Sequence, residues 1–484
     1  MFTGVFRTIA YVTGLFCLYL AIAMLLPMTV DLIDGNDDWK GFLVSSFLVG
    51  TAAAVMLLAN RGQMRPFSAR MGFLLVSILW IVTSLVASLP FLFGSVEISL
   101  ADSVFEAVSG ITTTGATVLT GLDDMPRGLL MWRSTMQWLG GLGIVAMSIL
   151  LLPFLRIGGM QFFRMESSER SDKPVARMQT FATYLAVIYA TLTLICMVCY
   201  AAGGMAWFDA FNHAMTTVAT GGFSTYDASF AQFGDAVLIT AIVFMLIGAM
   251  PFTAFFLFML NHDYRRALDT QIFVLLLIVA VLSVPALIAG LGTGQYLPAD
   301  ALLHTLFNVV SVVTTTGYAS SDYVAWGPLA MAVFLVASFV GGCAGSTSGG
   351  FKTYRLIILA QTLRVSIREL VYPNGVFPVY YNGRRVAPEA LQSVTTFFFA
   401  FIAILFIFTV LLSATGMNFT DAFSASLAGI SNVGPGITPS IGPAGNYAAL
   451  SDTAKWMLSF LMLLGRLEIM TLLVILSPVF WRGD

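Results

Sequence analysis

Charge is scarce in this chain. Asp, Glu, Lys and Arg make up 10% of its 484 residues, against about a quarter in a soluble domain. Reactive side chains are equally few. The four cysteines, Cys17, Cys196, Cys199 and Cys343, all sit in apolar sequence. Cys196 and Cys199 have the C-x-x-C spacing but no second pair or nearby His, which points to packing rather than metal or redox chemistry. The three histidines, His213, His262 and His304, lack a second His or a carboxylate at ligand spacing, so core, cap and surface roles outrank catalysis. No Ser/His/Asp arrangement, phosphate loop or nucleic-acid motif occurs. The net charge of −2 says nothing about partners.

Long apolar runs are abundant instead, with hydrophobic residues at 58%. A bilayer span takes about 20 apolar residues. Ten stretches qualify: 8–30, 41–60, 71–95, 129–155, 180–204, 236–260, 271–292, 328–362, 391–415 and 454–480. The first is followed by the acidic, polar stretch 31–40 rather than a small-residue cleavage site, so it reads as a retained span and not a signal peptide. With the N-terminus inside, the segments 61–70, 156–177, 261–269 and 352–389 and both termini hold eighteen of the twenty-three basic residues. The opposite loops hold Lys40, Arg127, Arg133 and Lys455 against sixteen acidic residues. This asymmetry predicts cytoplasmic N- and C-termini. The external acids serve solubility or a mild concentration of cations at the surface.

Four short segments resemble one another, each between two long apolar runs. They read Val-Ser-Gly-Ile-Thr-Thr-Thr-Gly ending at Gly115, Met-Thr-Thr-Val-Ala-Thr-Gly ending at Gly221, Val-Ser-Val-Val-Thr-Thr-Thr-Gly ending at Gly317, and Ala-Gly-Ile-Ser-Asn-Val-Gly ending at Gly434. Phe105, Phe211 and Phe307 stand ten residues before their glycines and Phe423 eleven. The segments are too short and polar to cross a bilayer, and irregular backbone is tolerated at that depth only inside protein or beside a water-filled cavity. The expected unit is therefore helix, re-entrant half-helix, strand, helix, repeated four times around one axis. Asp102, Asp209 and Asp421 stand where N-caps belong, with Asp300 or His304 in the third copy. Each half-helix then aims its C-terminal carbonyls, roughly half a negative charge, at the centre.

A dehydrated potassium-sized ion needs a cage of carbonyl oxygens. Glycine permits positive φ and close approach, and Thr stiffens the strand through its branched Cβ. The candidate filter residues are Thr113, Thr114 and Gly115; Ala219, Thr220 and Gly221; Thr315, Thr316 and Gly317; and Asn432, Val433 and Gly434.

The second helix of each repeat carries a further glycine. Gly140 and Gly248 read as close helix packing. The third copy has five glycines between Gly341 and Gly350, with Ser346, Thr347 and Ser348 among them. Each Gly costs a helix about 1 kcal/mol relative to Ala, so Gly341, Gly342, Gly345, Gly349 and Gly350 predict a break under the filter, as a gate or as a static kink. Arg466, after Gly465, is an intramembrane charge that faces a cavity or a partner. Glu468 at i+2 does not face it. Either Arg466 pairs with another span or it raises a barrier beneath the filter. Lys352 adds to that barrier or is the first cytoplasmic cation.

The four glycines, the stretch Gly-Gly-Cys-Ala-Gly-Ser-Thr-Ser-Gly-Gly-Phe-Lys at 341–352 and Gly-Arg-Leu-Glu at 465–468 resemble the Trk/Ktr/HKT superfamily of cation uptake proteins. The likeness covers essentially the whole chain, and two extra N-terminal helices favour its bacterial Trk branch. The expected fold is an all-α integral membrane protein of about ten transmembrane helices. Residues 1–65 would hold two N-terminal helices, and four pseudo-symmetric helix–pore loop–helix repeats would occupy 66–175, 176–265, 266–385 (with a gating loop at 341–350) and 386–484. The resemblance implies potassium as the transported ion, with rubidium or sodium as further ions, and no organic cofactor. It implies a homodimer in lipid of the bacterial inner membrane and a cytoplasmic TrkA-type regulatory subunit that binds nucleotides. In this superfamily glycine at all four filter positions goes with potassium, and serine at the first goes with sodium. A channel-like uptake protein is therefore expected. A transporter coupling potassium to protons or sodium, which also uses broken helices, is the alternative; an enzyme is disfavoured.

Overall fold

Inside a bilayer no water bonds a bare backbone, so long apolar segments close their hydrogen bonds as helices. The computed structural model describes residues 2–62, 69–151, 174–261 and 269–482. Among these, six helical stretches are long and apolar enough to cross a membrane: Val5–Asp34, Trp39–Ala59, Arg70–Phe93, Ala182–Ala202, Thr270–Gly292 and Pro388–Ser413. Two bent pairs raise the number to eight. Their outer faces carry exposed Phe47, Leu58, Val187, Leu277 and Phe399, a pattern suited to lipid and costly in water. The protein is a multi-pass, helical membrane protein. The inward segments expected at 156–177 and 261–269, with His262, lie largely outside the described residues, as does most of 61–70.

Three of the ten expected spans differ from straight helices. The stretch 236–260 is two helices, Asp235–Gly248 and Phe252–Asn261, bent by 86°. The stretch 454–480 breaks between Asp452–Arg466 and Met470–Leu476, bent by 111°. The stretch 328–362 is a 13-residue helix, Pro328–Val340, an irregular segment, and a new helix, Thr353–Val371.

Four short helices stand between the long ones: Leu100–Ile111, Trp207–Val218, Pro298–Val313 and Phe419–Ser431. Their caps correct one expectation. Ser99 and Asn418 are the N-caps, each accepting from the amide of the Asp three residues on. Asp102, Asp209, Asp300 and Asp421 all sit in the first turn instead, where a negative charge offsets the exposed N–H groups and the dipole. Ala206 and Leu297 cap the other two without a side-chain bond.

One apolar core runs from Cys17 and Phe42 in the N-terminal helices through all four repeats to Leu472. Asp31 joins the N-terminal helices to the first repeat by accepting from the Gly128 amide at 2.7 Å. Cys17, Cys196 and Cys343 are buried and unpaired, in keeping with packing roles.

Candidate functional site

Within two residues of its end, each short helix is followed by a residue held in the left-handed region, and two residues later comes a glycine in the same region. Thr113, Thr220, Thr315 and Asn432 have φ of 53°, 48°, 58° and 53°; Gly115, Gly222, Gly317 and Gly434 have 85°, 84°, 85° and 93°. That conformation costs a non-glycine residue roughly 1–2 kcal/mol, so its recurrence at matched places marks a repeated backbone, not an accident of packing. A Cβ added at Gly115 would meet the Gly221 carbonyl at 2.4 Å. One at Gly222 would meet the Thr316 carbonyl, one at Gly317 the Val433 carbonyl, and one at Gly434 the Thr114 carbonyl at 2.7 Å. Each glycine thus abuts the carbonyl that precedes the next one, and the fourth closes on the first.

The ring corrects the register of the second copy. Its glycine is Gly222, not Gly221; Ala219, Thr220 and Gly221 match Thr112, Thr113 and Thr114. Gly221 is held differently, its carbonyl accepting from Gln137 Nε2 at 2.6 Å. A Gly-Gly pair offers two registers and the Thr-Gly string favoured the wrong one. The sequence did hold a discriminating signal, because Asp102, Asp209 and Asp421 each stand thirteen residues before Gly115, Gly222 and Gly434.

The other expected residues lie in these segments. Thr113, Thr114, Thr220, Thr315, Thr316, Asn432 and Val433 are buried. Thr114 and Thr316 share hydrogen bonds with Thr112 and Thr314 at 2.7 and 2.8 Å. Asn432 Nδ2 crosses from the fourth copy to Thr114 Oγ1 at 2.9 Å.

Past the glycines the chain turns outward and is clamped by its own short helix. Nine residues before the glycine stand Glu106, His213 and Asn308. Glu106 accepts from the Val118 amide at 3.0 Å, His213 Nε2 meets Ser224 Oγ at 3.0 Å, and Asn308 accepts from the Ser320 amide at 3.1 Å. Ser424 does the same for Ile437 at 2.7 Å. Composition alone gave no hint of this polar position, but its place just after Phe105 and Phe307 did. Above it, Asp209 accepts from Thr225 Oγ1 and Tyr226 Oη at 2.8 and 2.9 Å. Burial, then the bond to Asp209, pushes the Tyr226 hydroxyl up to about 12, so it keeps its proton and donates. Gly115, Gly222, Gly317 and Gly434 together floor a recess of about 240 Å³ that also touches Arg133 and Tyr447.

Beneath the ring lies the segment 341–352. Gly341, Gly345, Gly350 and Lys352 have φ near 75°, which is why no helix continues there. The segment is bonded on several sides. The Cys343 amide donates to the Ala249 carbonyl at 2.9 Å, in the break of the second repeat. Thr347 Oγ1 donates to the Val218 and Gly248 carbonyls at 3.1 and 3.0 Å, and Thr220 Oγ1 donates to Thr347 Oγ1 at 3.2 Å. The Gly349 amide donates to Thr315 Oγ1 at 2.7 Å and the Gly350 amide to the Ser431 carbonyl at 2.8 Å. Gly342, Ser346 and Ser348 are buried beside them, and Lys352 Nζ donates to the Ser348 carbonyl. The segment therefore touches the second, third and fourth copies at once.

Arg466 ends its helix, 3% exposed, and all three of its side-chain nitrogens lack a hydrogen-bond partner among the described residues. Among the described residues no carboxylate pairs with it. Glu468 is taken by Arg355 at 2.9 Å, and Lys352 lies within electrostatic reach of both Arg466 and Arg355. Gly140, Gly248 and Gly465 do pack closely: a Cβ there would meet the carbonyls of Ile111, Val218 and Ile430 at 2.0, 3.0 and 2.2 Å. Each of those carbonyls lies four residues before its ring glycine. Gly248 and Gly465 also stand at the two bends. Among the described residues no group of three His, Cys, Asp or Glu could hold a metal ion.

Comparison with known proteins agrees with this geometry. Residues 41–481 match the family described as "TrkH: Cation transport protein". The chain is 42% identical over 472 residues to the Trk system potassium uptake protein TrkI of Halomonas elongata, covering 96% of this chain and 95% of that one. It is 34% identical over 485 residues to the Trk system potassium uptake protein TrkH of Escherichia coli K12, covering 99% of each. The crystal structure of the potassium transporter TrkH from Vibrio parahaemolyticus superposes with a TM-score of 0.91 at 35% identity, over 99% of this chain and 100% of that one.

Proposed function

The chain belongs to the TrkH family of cation transport proteins, and from that membership we propose that it carries potassium into the cell through a gated, channel-like filter. The observation that carries this reading is the closed ring of Gly115, Gly222, Gly317 and Gly434, each against a neighbour's carbonyl. A ring of carbonyls replaces the water of a dehydrated potassium ion, and the C-termini of four short helices favour a cation at their focus. Thr113, Thr114, Thr220, Gly221, Thr315, Thr316, Asn432 and Val433 supply the oxygens around it. Gly341–Gly350 is the gate, with Lys352 and Arg466 as the positive charges that oppose passage. The repeats divide near residues 65, 175, 265 and 385. The N- and C-termini face the cytoplasm of a bacterial inner membrane, a reading the basic residues support. A homodimer and a cytoplasmic TrkA-type nucleotide-binding subunit complete the assembly.

A coupled transporter is the second reading, favoured by the bends at 249–251 and 467–469, since broken helices also build coupled ion sites. One measurement separates the two. Purified protein in liposomes with a potassium gradient should give a current that reverses at the potassium equilibrium potential. A reversal that shifts with a proton or sodium gradient instead would select coupled transport.

A further inference from the structure

Arg133 and Glu106 form an ion pair with side chains 1% and 0% exposed, Nε to Oε1 at 2.8 Å. Burying two charges is expensive and is offset only when geometry is good and the remaining polar atoms find partners. Here they do, and the partners come from two repeats. Glu106 holds the first outward strand at Thr117 and the Val118 amide, all at 3.0 Å. Arg133 Nη2 donates to Thr117 Oγ1 at 3.2 Å, while Nη1 crosses to the Ser224 carbonyl of the second strand at 2.8 Å. Its guanidinium lies 4.1 Å from the centre of the Phe223 ring. One turn further along the same helix, Gln137 grips the Gly221 carbonyl and the Phe223 amide at 2.6 and 3.0 Å.

This clamp has no counterpart in the second or fourth repeat. Counting back seven and three residues from the packing glycines Gly140, Gly248 and Gly465 gives Arg133 and Gln137, Ala241 and Met245, Leu458 and Met462. All six are buried, but only the first pair is polar. The neighbouring strands elsewhere are tied by neutral groups: Phe230 amide to Ala319 carbonyl, and Tyr447 amide to Thr117 carbonyl, both at 2.9 Å.

Resting on the filter reading above, we infer that Glu106 and Arg133 are positioning residues that set the spacing of the Gly115 and Gly222 carbonyls and so the preference for potassium over sodium. A cage discriminates between ions by its size and by the number and field of its oxygens. Gly115 and Gly222 are each within three residues of a clamped atom. The pair also keeps the filter neutral, because the guanidinium beside the strands is balanced within its own hydrogen bonds.

The test is the potassium-to-sodium permeability ratio, from bi-ionic reversal potentials, of the purified full chain in liposomes. Glu106→Gln keeps the shape and an acceptor for the Val118 amide but removes the charge. The double variant Glu106→Gln/Arg133→Gln leaves no charge buried and serves if the single variant does not fold. Both should lower the ratio by roughly fivefold or more, a direct effect on the cage. Lys455→Met removes the rim pair of Lys455 with Asp102 (2.6 Å), which bonds no outward strand, and should leave the ratio at the wild-type value. A folded double variant with the wild-type ratio would overturn the inference, even if its melting temperature falls. A wild type that passes no cation selectively would overturn the filter reading itself, which is a separate outcome.

Discussion

The regions above and below the glycine ring obey different rules. Above it, every repeat solves the same problem in a similar way: Glu106, His213, Asn308 and Ser424 each hold their own outward strand, and even the buried charges Arg133 and Glu106 are fully engaged. Below it, four-fold order is gone. The third repeat sends the 341–352 segment against the second and fourth copies, and beside it Arg466 and Ser348 leave buried polar atoms without partners among the described residues. Buried polar atoms without a described partner also occur in the ring segments and short helices, at Thr113, Asn432, Asn212 and Thr305, so what sets the inner side apart is an unpaired charge, the costliest kind to bury. The difference teaches that the outer side repeats one support for each strand, while the inner side is organised by a single segment and its neighbouring charges.

That contrast can be broken most completely at the ring. Gly222→Ala puts a methyl group into the Thr316 carbonyl at a φ of 84°, and backbone cannot step aside as a side chain can. Potassium flux in liposomes should be abolished while the protein still inserts. Retained flux would mean that the ring is not the passage.

The next largest effect compares two arginines. Arg133→Ala leaves Glu106 buried and alone, which should cost about 3–5 kcal/mol and show as a lowered melting temperature. Arg466→Ala breaks no ion pair among the described residues, so stability should hold, and flux should rise because a positive charge in a low-dielectric passage repels the permeating ion. Equal destabilisation by both would erase the distinction drawn between the two sides.

Shortening 345–350 should raise potassium and rubidium flux together without changing their ratio, because the segment lies below the cage and not in it. A changed ratio would make it part of the cage. The smallest effect is expected from Thr347→Val, which keeps the volume but removes bonds to Val218 and Gly248. The one hydroxyl proton is shared between the two carbonyls and is worth about 1 kcal/mol net. Basal flux should rise severalfold with selectivity unaltered; no rise would show that Thr347 does not hold the segment in place.

Much of this was legible from residue order. The four repeats showed because each needs a glycine where backbone meets backbone, and a missing Cβ is visible in a sequence. The break at 341–352 showed because five glycines in ten residues cannot be a helix. The bends after Gly248 and Gly465 did not show. A single glycine reads as a packing site, and the bend after Gly248 is held by bonds from 343–347 that lie about a hundred residues away in the sequence. The second copy was misread by one residue because Gly221 and Gly222 are chemically identical and only the neighbouring copy distinguishes them. The Glu106–Arg133 pair was counted as external charge for a related reason: a sequence gives the side of the membrane, not the partner.

The ring is drawn from one polypeptide, and its last seam joins its first and fourth quarters, with Asn432 reaching Thr114 across 318 residues. At a synthesis rate of 5–20 residues per second, the fourth quarter leaves the ribosome roughly 15–65 s after the first. For that interval three quarters of the ring stand with one seam open, and the seam cannot close until Asn432 has been made. A chain truncated before that residue therefore cannot close the ring. Nor can a faulty copy be diluted by sound ones within a ring, because the number of quarters is settled by translation and not by assembly.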